Sequence, residues 1–140
     1  TEAVDRAIEL LNGIARRVIK LKVSAPFHCA LMKPAQERLA ADLESVPFET
    51  LATPLITNVD AAEIENGDAA RDSLVRQVTA PVRWLESIEV MIANGVETFV
   101  EVGPGKVLTG LMRQINRDVK CFNVEDAESL KSAAAALGLK

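Results

Sequence analysis

The 140-residue chain is 49% hydrophobic and 26% charged with a net charge of −4, the size and balance of one ordinary globular domain. No apolar run approaches the ~20 residues of a membrane span and no charged-then-apolar leader opens the chain, so a soluble cytoplasmic protein is expected. An acidic balance, 4% aromatics and no Tyr argue against a nucleic-acid partner, because stacking platforms are scarce.

At this length roughly two-thirds of the unfolded surface should be buried, enough for a core without staples. Cys29 and Cys121 lie far apart in apolar surroundings and read as buried reduced thiols rather than a bridge. The charge is uneven. Residues 1–32 hold five Lys or Arg against three Asp or Glu, and residues 33–140 hold eleven against seventeen. The chain starts at Thr1 without Met and enters a helical pattern almost at once, as expected of a piece of a longer protein.

Residues 2–14 place Val4, Ala7, Ile8, Leu11 and Ile14 on one face at helical spacing, with Thr1 as the expected cap. From Arg17 to Val23 the period becomes two, with Ile19, Leu21 and Val23 on one face and Val18, Lys20 and Lys22 on the other, which predicts a strand with one wet face. The two lysines offer either a solvated face or a docking surface for an acidic partner. Residues 24–33 break both periods. Pro26 holds Ala25 extended, so Phe27, His28 and Cys29 are expected in a loop before a helix that opens at Pro34, with Ala35, Leu39 and Leu43 inward. His28 is the single histidine, the one side chain that titrates unperturbed near neutral pH. It reads either as an acid-base group or as a hydrogen-bonded structural residue.

Pro54 to Val59 predicts a buried strand. Asn66 and Gly67 start a helix carrying Ala70, Leu74 and Val78, supported by an Asp72/Arg76 pair and stopping near Thr79. Pro81 opens another, with Trp84, Leu85, Ile88, Met91 and Ile92 inward and Asn94-Gly95 as its stop. Thr98 to Val102 is the strongest strand; it runs into Gly103-Pro104-Gly105 and a helix from Lys106 to Ile115. These glycines lack the spacing of a phosphate-binding loop and read as a tight turn framing a neighbouring site. Val119 to Val124 predicts a last strand and Glu125 to Leu137 a last helix, closed by Gly138. Strands alternating with helices from residue 54 predict an α/β fold, a parallel sheet flanked by helices, with the first residues in a separate lobe. No metal-spaced His/Cys cluster appears, and no cofactor is expected.

The segments SAPFHCALMKPA around His28, ITNVDA at 56–61, NGDAARDSLVRQVTAPVRW at 66–84 and VEVGPGKVLTGLMRQI at 100–115 together resemble the C-terminal part of the bacterial malonyl-CoA:acyl carrier protein transacylases. The resemblance covers the whole chain but less than half of a family member. It implies a Ser/His acyltransferase on a hydrolase-like α/β core, with residues 1–23 as the last helix and strand of a ferredoxin-like subdomain and 24–140 as the C-terminal part of the large one. It implies transfer of malonyl from coenzyme A to the acyl carrier protein thiol in fatty acid synthesis. His28 then matches the general base, and Gln77 falls where a main-chain carbonyl orients that imidazole. Phe27, Gly103 and Val107 would belong to the substrate pocket wall. A Phe before the His goes with malonyl-selective members of the wider superfamily; it also reads as a simple packed aromatic.

The resemblance also shows what this chain lacks. None of Ser24, Ser45, Ser73, Ser87, Ser129 and Ser132 lies in a G-x-S-x-G elbow, and the family's Gln-containing oxyanion loop and malonyl-binding Arg have no counterpart. The implied partners are therefore malonyl-CoA, acyl carrier protein and the missing N-terminal portion of the same protein, and the chain alone is expected to be inactive. Two other readings stay open: a non-catalytic acidic α/β binding module with a structural His28, and a Cys29-based thiol enzyme, which the apolar flanks of Cys29 disfavour.

Overall fold

A computed structural model describes residues 2–20 and 23–139. The first helix, α1, spans Glu2–Leu11, shorter than the expected 2–14; Thr1, its expected cap, lies outside the described residues. A 3-10 turn at Ala30–Met32 leads into α2, Lys33–Glu44, with Pro34 in its first turn, where a missing N–H costs nothing. A hairpin follows, β1 (Leu55–Ile56) paired antiparallel with β2 (Glu63–Ile64). Next come α3 (Gly67–Arg76) and α4 (Trp84–Ala93). Strand β3 (Thr98–Val102) then crosses through α5 (Val107–Ile115) to the parallel strand β4 (Lys120–Val124), and α6 (Ala127–Leu137) packs back on β4. The fold is α/β with a small parallel sheet, its register running from Thr98 opposite Lys120 to Val102 opposite Val124.

Local chemistry explains most boundaries. Asn66 accepts the Ala69 N–H at 2.8 Å and caps α3; Asp126 and Ser129 form a reciprocal capping box on α6, which ends at Gly138 with φ 69°. The Glu101 carboxylate, on β3, accepts the Leu108 and Thr109 N–H groups at 3.0 and 2.8 Å and the Thr109 hydroxyl at 2.7 Å, closing the N-terminus of α5 against the sheet. Gly67 is buried, and a Cβ there would stand 2.4 Å from the Phe48 carbonyl oxygen, so the backbones meet where only glycine fits.

Three expectations are corrected. The 54–59 run is not a buried strand of a parallel sheet: only Leu55 and Ile56 are extended, in an antiparallel hairpin, and Leu55 is exposed. Thr57 and Asp60 hydrogen-bond across the turn that follows, and this local pairing turns the chain back through residues 58–60, Val59 included. No strand forms at residues 17–20 or at Val23, and Leu21 and Lys22 lie outside the described residues. Among the described residues that segment has no ladder partner, and Ile19 and Val23 are exposed rather than inward. Lys20, assigned to a basic outer face, pairs with Asp5.

The third correction concerns the core. The accessible surface is 10614 Å², whereas a compact monomer of 15.1 kDa exposes about 7,100 Å². Burial is therefore nearer half than two-thirds of the unfolded surface. Ile88 is the one large side chain fully buried among the described residues, joined by Met112, Ala61, Ala70 and Ala133. Trp84, Phe99, Leu108, Met112 and Phe122 surround a small cavity of about 90 Å³ between α4, the sheet and α5. Val100 and Val102 on β3 remain 41% and 79% exposed, and Leu85 on the expected inner face of α4 is exposed too. No described helix is long and apolar enough to cross a membrane.

Candidate active site

The site is built around the loop before α2. Pro26 centres a tight turn in which the Phe27 N–H donates to the Ala25 carbonyl at 2.9 Å, and the Cys29 thiol donates to the Pro26 carbonyl at 3.1 Å. Between these contacts His28 takes φ 56°, left-handed backbone that a non-glycine residue rarely adopts and that the flanking bonds hold in place. Its exposed ring reaches the turn after α3, with Nδ1 3.0 Å from the Gln77 carbonyl oxygen and 3.0 Å from that of Ala80.

Backbone chemistry leaves these carbonyls unclaimed. Had α3 continued, the Gln77 carbonyl would accept the N–H of residue 81, but residue 81 is proline and has none. Helix α3 ends at Arg76, Gln77 caps it, and the turn through Ala80 presents both oxygens to the loop opposite. A carbonyl can only accept, so Nδ1 carries the hydrogen and Nε2 is the basic nitrogen of the neutral ring. That arrangement suits a proton acceptor.

Beside this turn lies a polar network of which the sequence marked only the Asp72/Arg76 pair. Asp60 takes a bidentate hold on Arg76, at 2.8 and 2.6 Å, and also accepts from Thr57 and Ser73. Arg76 meets Asp72 as well, at 2.6 Å, confirming the expected i, i+4 pair. The Arg76 hydrogen bonds hold the Asp60 carboxyl below its ordinary 3.8, and the two carboxylates raise the Arg76 guanidinium further still. A carboxyl whose pKa is depressed by folding stabilises the fold above its unfolded value and loses that contribution as pH falls through the folded one. Asp60→Asn should therefore lower the melting temperature at pH 7 and converge with the wild type as the pH falls below the ordinary carboxylate range. An equal deficit at both ends of that range would contradict the ion-pair account.

The remaining predicted positions are less closely joined. Phe27 precedes His28 and is 57% exposed. Gly103, at φ 134°, follows β3 directly and Val107, 70% exposed, opens α5, and no hydrogen bond among the described residues connects them to His28. The turn there is already served by protein carboxylates: Glu125 accepts the Gly105 N–H at 3.0 Å and pairs with Lys106 at 3.5 Å. With Glu101 on the α5 terminus, this agrees with a tight turn rather than an anion cradle. Both cysteines are free and half-buried, and burial pushes the Cys121 thiol up, against an activated thiolate.

An α/β fold carrying an exposed histidine held by two main-chain carbonyls fits an enzyme of the transferase or hydrolase class. Comparison with known proteins shows which particular proteins the chain is similar to. The chain is 51% identical over 139 residues to a malonyl CoA-acyl carrier protein transacylase of Escherichia coli (strain K12), covering 99% of this chain and 44% of that protein. It superposes with a TM-score of 0.87, at 43% identity, on the acyl-carrier-protein-S-malonyltransferase from Bartonella henselae, covering 99% of this chain and 44% of the other. A malonyl-transacylase solved in complex with its type II PKS acyl-carrier protein gives a TM-score of 0.88 at 42% identity, covering 97% of this chain and 44% of the other. No family model matches. The chain is thus a homologue of the malonyl CoA-acyl carrier protein transacylases and spans under half the length of these relatives, consistent with a C-terminal fragment.

Proposed function

We propose that this chain is the histidine-bearing C-terminal portion of a malonyl-CoA:acyl carrier protein transacylase, with His28 as general base and the Gln77 carbonyl as its orienting acceptor. The observation that carries this reading is the pair of 3.0 Å contacts from His28 Nδ1 to the carbonyls of Gln77 and Ala80. A serine supplied from outside this chain would lose its proton to Nε2 as it attacks the malonyl thioester, and His28 would return a proton to the departing coenzyme A thiolate. In the second half-reaction Nε2 takes the proton of the carrier-protein thiol as it attacks the acyl-serine, and returns it to the serine oxygen as the acyl–oxygen bond breaks. Neutral acceptors hold the tautomer as an aspartate would, while stabilising the imidazolium less. Residues 1–23 would close a ferredoxin-like subdomain and residues 24–140 a hydrolase-like one. Phe27, Gly103 and Val107 would line the pocket once the N-terminal portion is in place. The chemistry needs no cofactor.

The role assigned to Gln77 separates backbone from side chain, which makes it testable in the complete enzyme. Gln77→Ala keeps the carbonyl and should cost less than about tenfold in kcat, the scale of one neutral hydrogen bond. Gln77→Pro deletes the N–H that donates to the Ser73 carbonyl at 3.0 Å, displaces the turn and should cost far more. Equal losses in the two variants would assign the function to the side chain and overturn this account.

A further inference from the structure

The turn that faces His28 is itself gripped from two sides. Asn58 donates from Nδ2 to the Gln77 side-chain oxygen at 3.2 Å, and its own carbonyl accepts the Arg83 N–H at 2.9 Å. One residue therefore holds the segment 77–83 at both ends, and the two acceptor carbonyls lie between. Asp60 repeats the pattern with charge, holding Arg76 through its carboxylate and Arg83 Nη1 through its main-chain oxygen at 2.9 Å. From α2, Gln36 accepts the Thr79 hydroxyl at 3.1 Å. None of Asn58, Asp60 and Gln36 hydrogen-bonds His28 among the described contacts. Since Pro81 removes the helical bond that would order this turn, these side chains set where its carbonyls stand.

We propose that Asn58 is a positioning residue for His28, acting through the Gln77 side chain to keep both carbonyls on Nδ1. The inference rests on the general-base reading of His28. An N–H shared between two oxygens at 3.0 Å tolerates little displacement, because the bond weakens steeply as distance and angle depart from ideal. A turn that drifts on the 77 side leaves the ring one acceptor, and the ring then samples the other tautomer, with Nε2 protonated and useless as a base. Asn58 is not fully buried, so truncating it removes the tether without leaving a buried orphan.

The test uses the complete transacylase with ¹⁵N-labelled histidine rings, the His28 signals being those lost in His28→Asn. Asn58→Ala and Gln77→Ala should each lower kcat about three- to tenfold with KM unchanged for both substrates. Each should shift His28 from a single Nδ1–H tautomer to a mixture, and the double variant should be no worse than either single. Asn58→Asp should recover rate and tautomer, because the Gln77 amide can rotate end for end and donate to the new carboxylate. Wild-type kcat with an unchanged tautomer in Asn58→Ala, or losses that multiply in the double variant, would overturn the proposal. Should Asn58→Ala fail to fold, Gln77→Ala with a wild-type tautomer would overturn it equally. Full activity in His28→Asn would defeat the general-base reading instead, and the tautomer spectra would still decide the role of Asn58.

Discussion

His28→Asn in the complete enzyme should lower malonyl transfer to acyl carrier protein by about 10⁴-fold or more, while the protein stays folded. General-base catalysis alone is worth roughly 10²–10⁴, and removing the histidine of a comparable Ser/His unit costs on the order of 10⁶, because the members act together. Asparagine is the better replacement here. His28 sits at φ 56°, where asparagine is tolerated and alanine strained, so a loss of rate in His28→Asn cannot be blamed on the loop refolding. The ring is exposed and its loss leaves only two carbonyls at the surface, which water can satisfy. Melting temperature should therefore move little. Transfer at the wild-type rate in a folded variant would remove His28 from the mechanism and favour the binding-module reading.

The 140-residue chain by itself should transfer no malonyl group, show no saturable binding of malonyl-CoA and self-associate. Chemically, it lacks a nucleophile aligned with His28, the base of the proposed mechanism. Ser73 and Ser87 are buried and bonded to Asp60 and Arg83, and Ser129 is consumed in the α6 capping box. None of the described serines bonds His28, which could at best activate water in an open site. Physically, the surface exceeds that of a compact monomer of its mass by about half, and β3 shows Val100 and Val102 on a sheet that contains only β4 as a partner among the described residues. Co-refolding with the N-terminal portion of the enzyme should restore solubility and activity together, the activity depending on His28 here and on a serine there. Malonyl transfer by the purified chain, with mass spectrometry excluding the longer enzyme, would refute this reading.

Elements whose cues are local can be read from residue type alone. The β-former run Thr98–Val102, the Asn66 start of α3 and the Gly138 stop of α6 lie where those cues put them, because cap, turn and period act within a few residues. His28 stands out for its uniqueness, and Gln77 enters through the family resemblance. Nothing in residue type marks Ala80, Asn58 or Gln36, although the sequence holds one usable cue: a proline four residues after Gln77 leaves that carbonyl without its helical donor. The corrected expectations share a cause. The 17–23 segment carries strand periodicity and the 54–59 run is short and apolar, but a strand is a ladder between two segments, and either cue names only one of them.

By itself, then, the sequence determined the helices, the one strong β-α-β unit and the likeness to the transacylases, since each depends on residue type and short-range spacing. Only the tertiary structure decided that His28 Nδ1 faces two carbonyls rather than one, that residues 57–60 grip the turn bearing them, and that the core is too small for the chain's length. Those facts depend on residues some 20 to 50 positions apart meeting in space, and on apolar faces that no described residue covers.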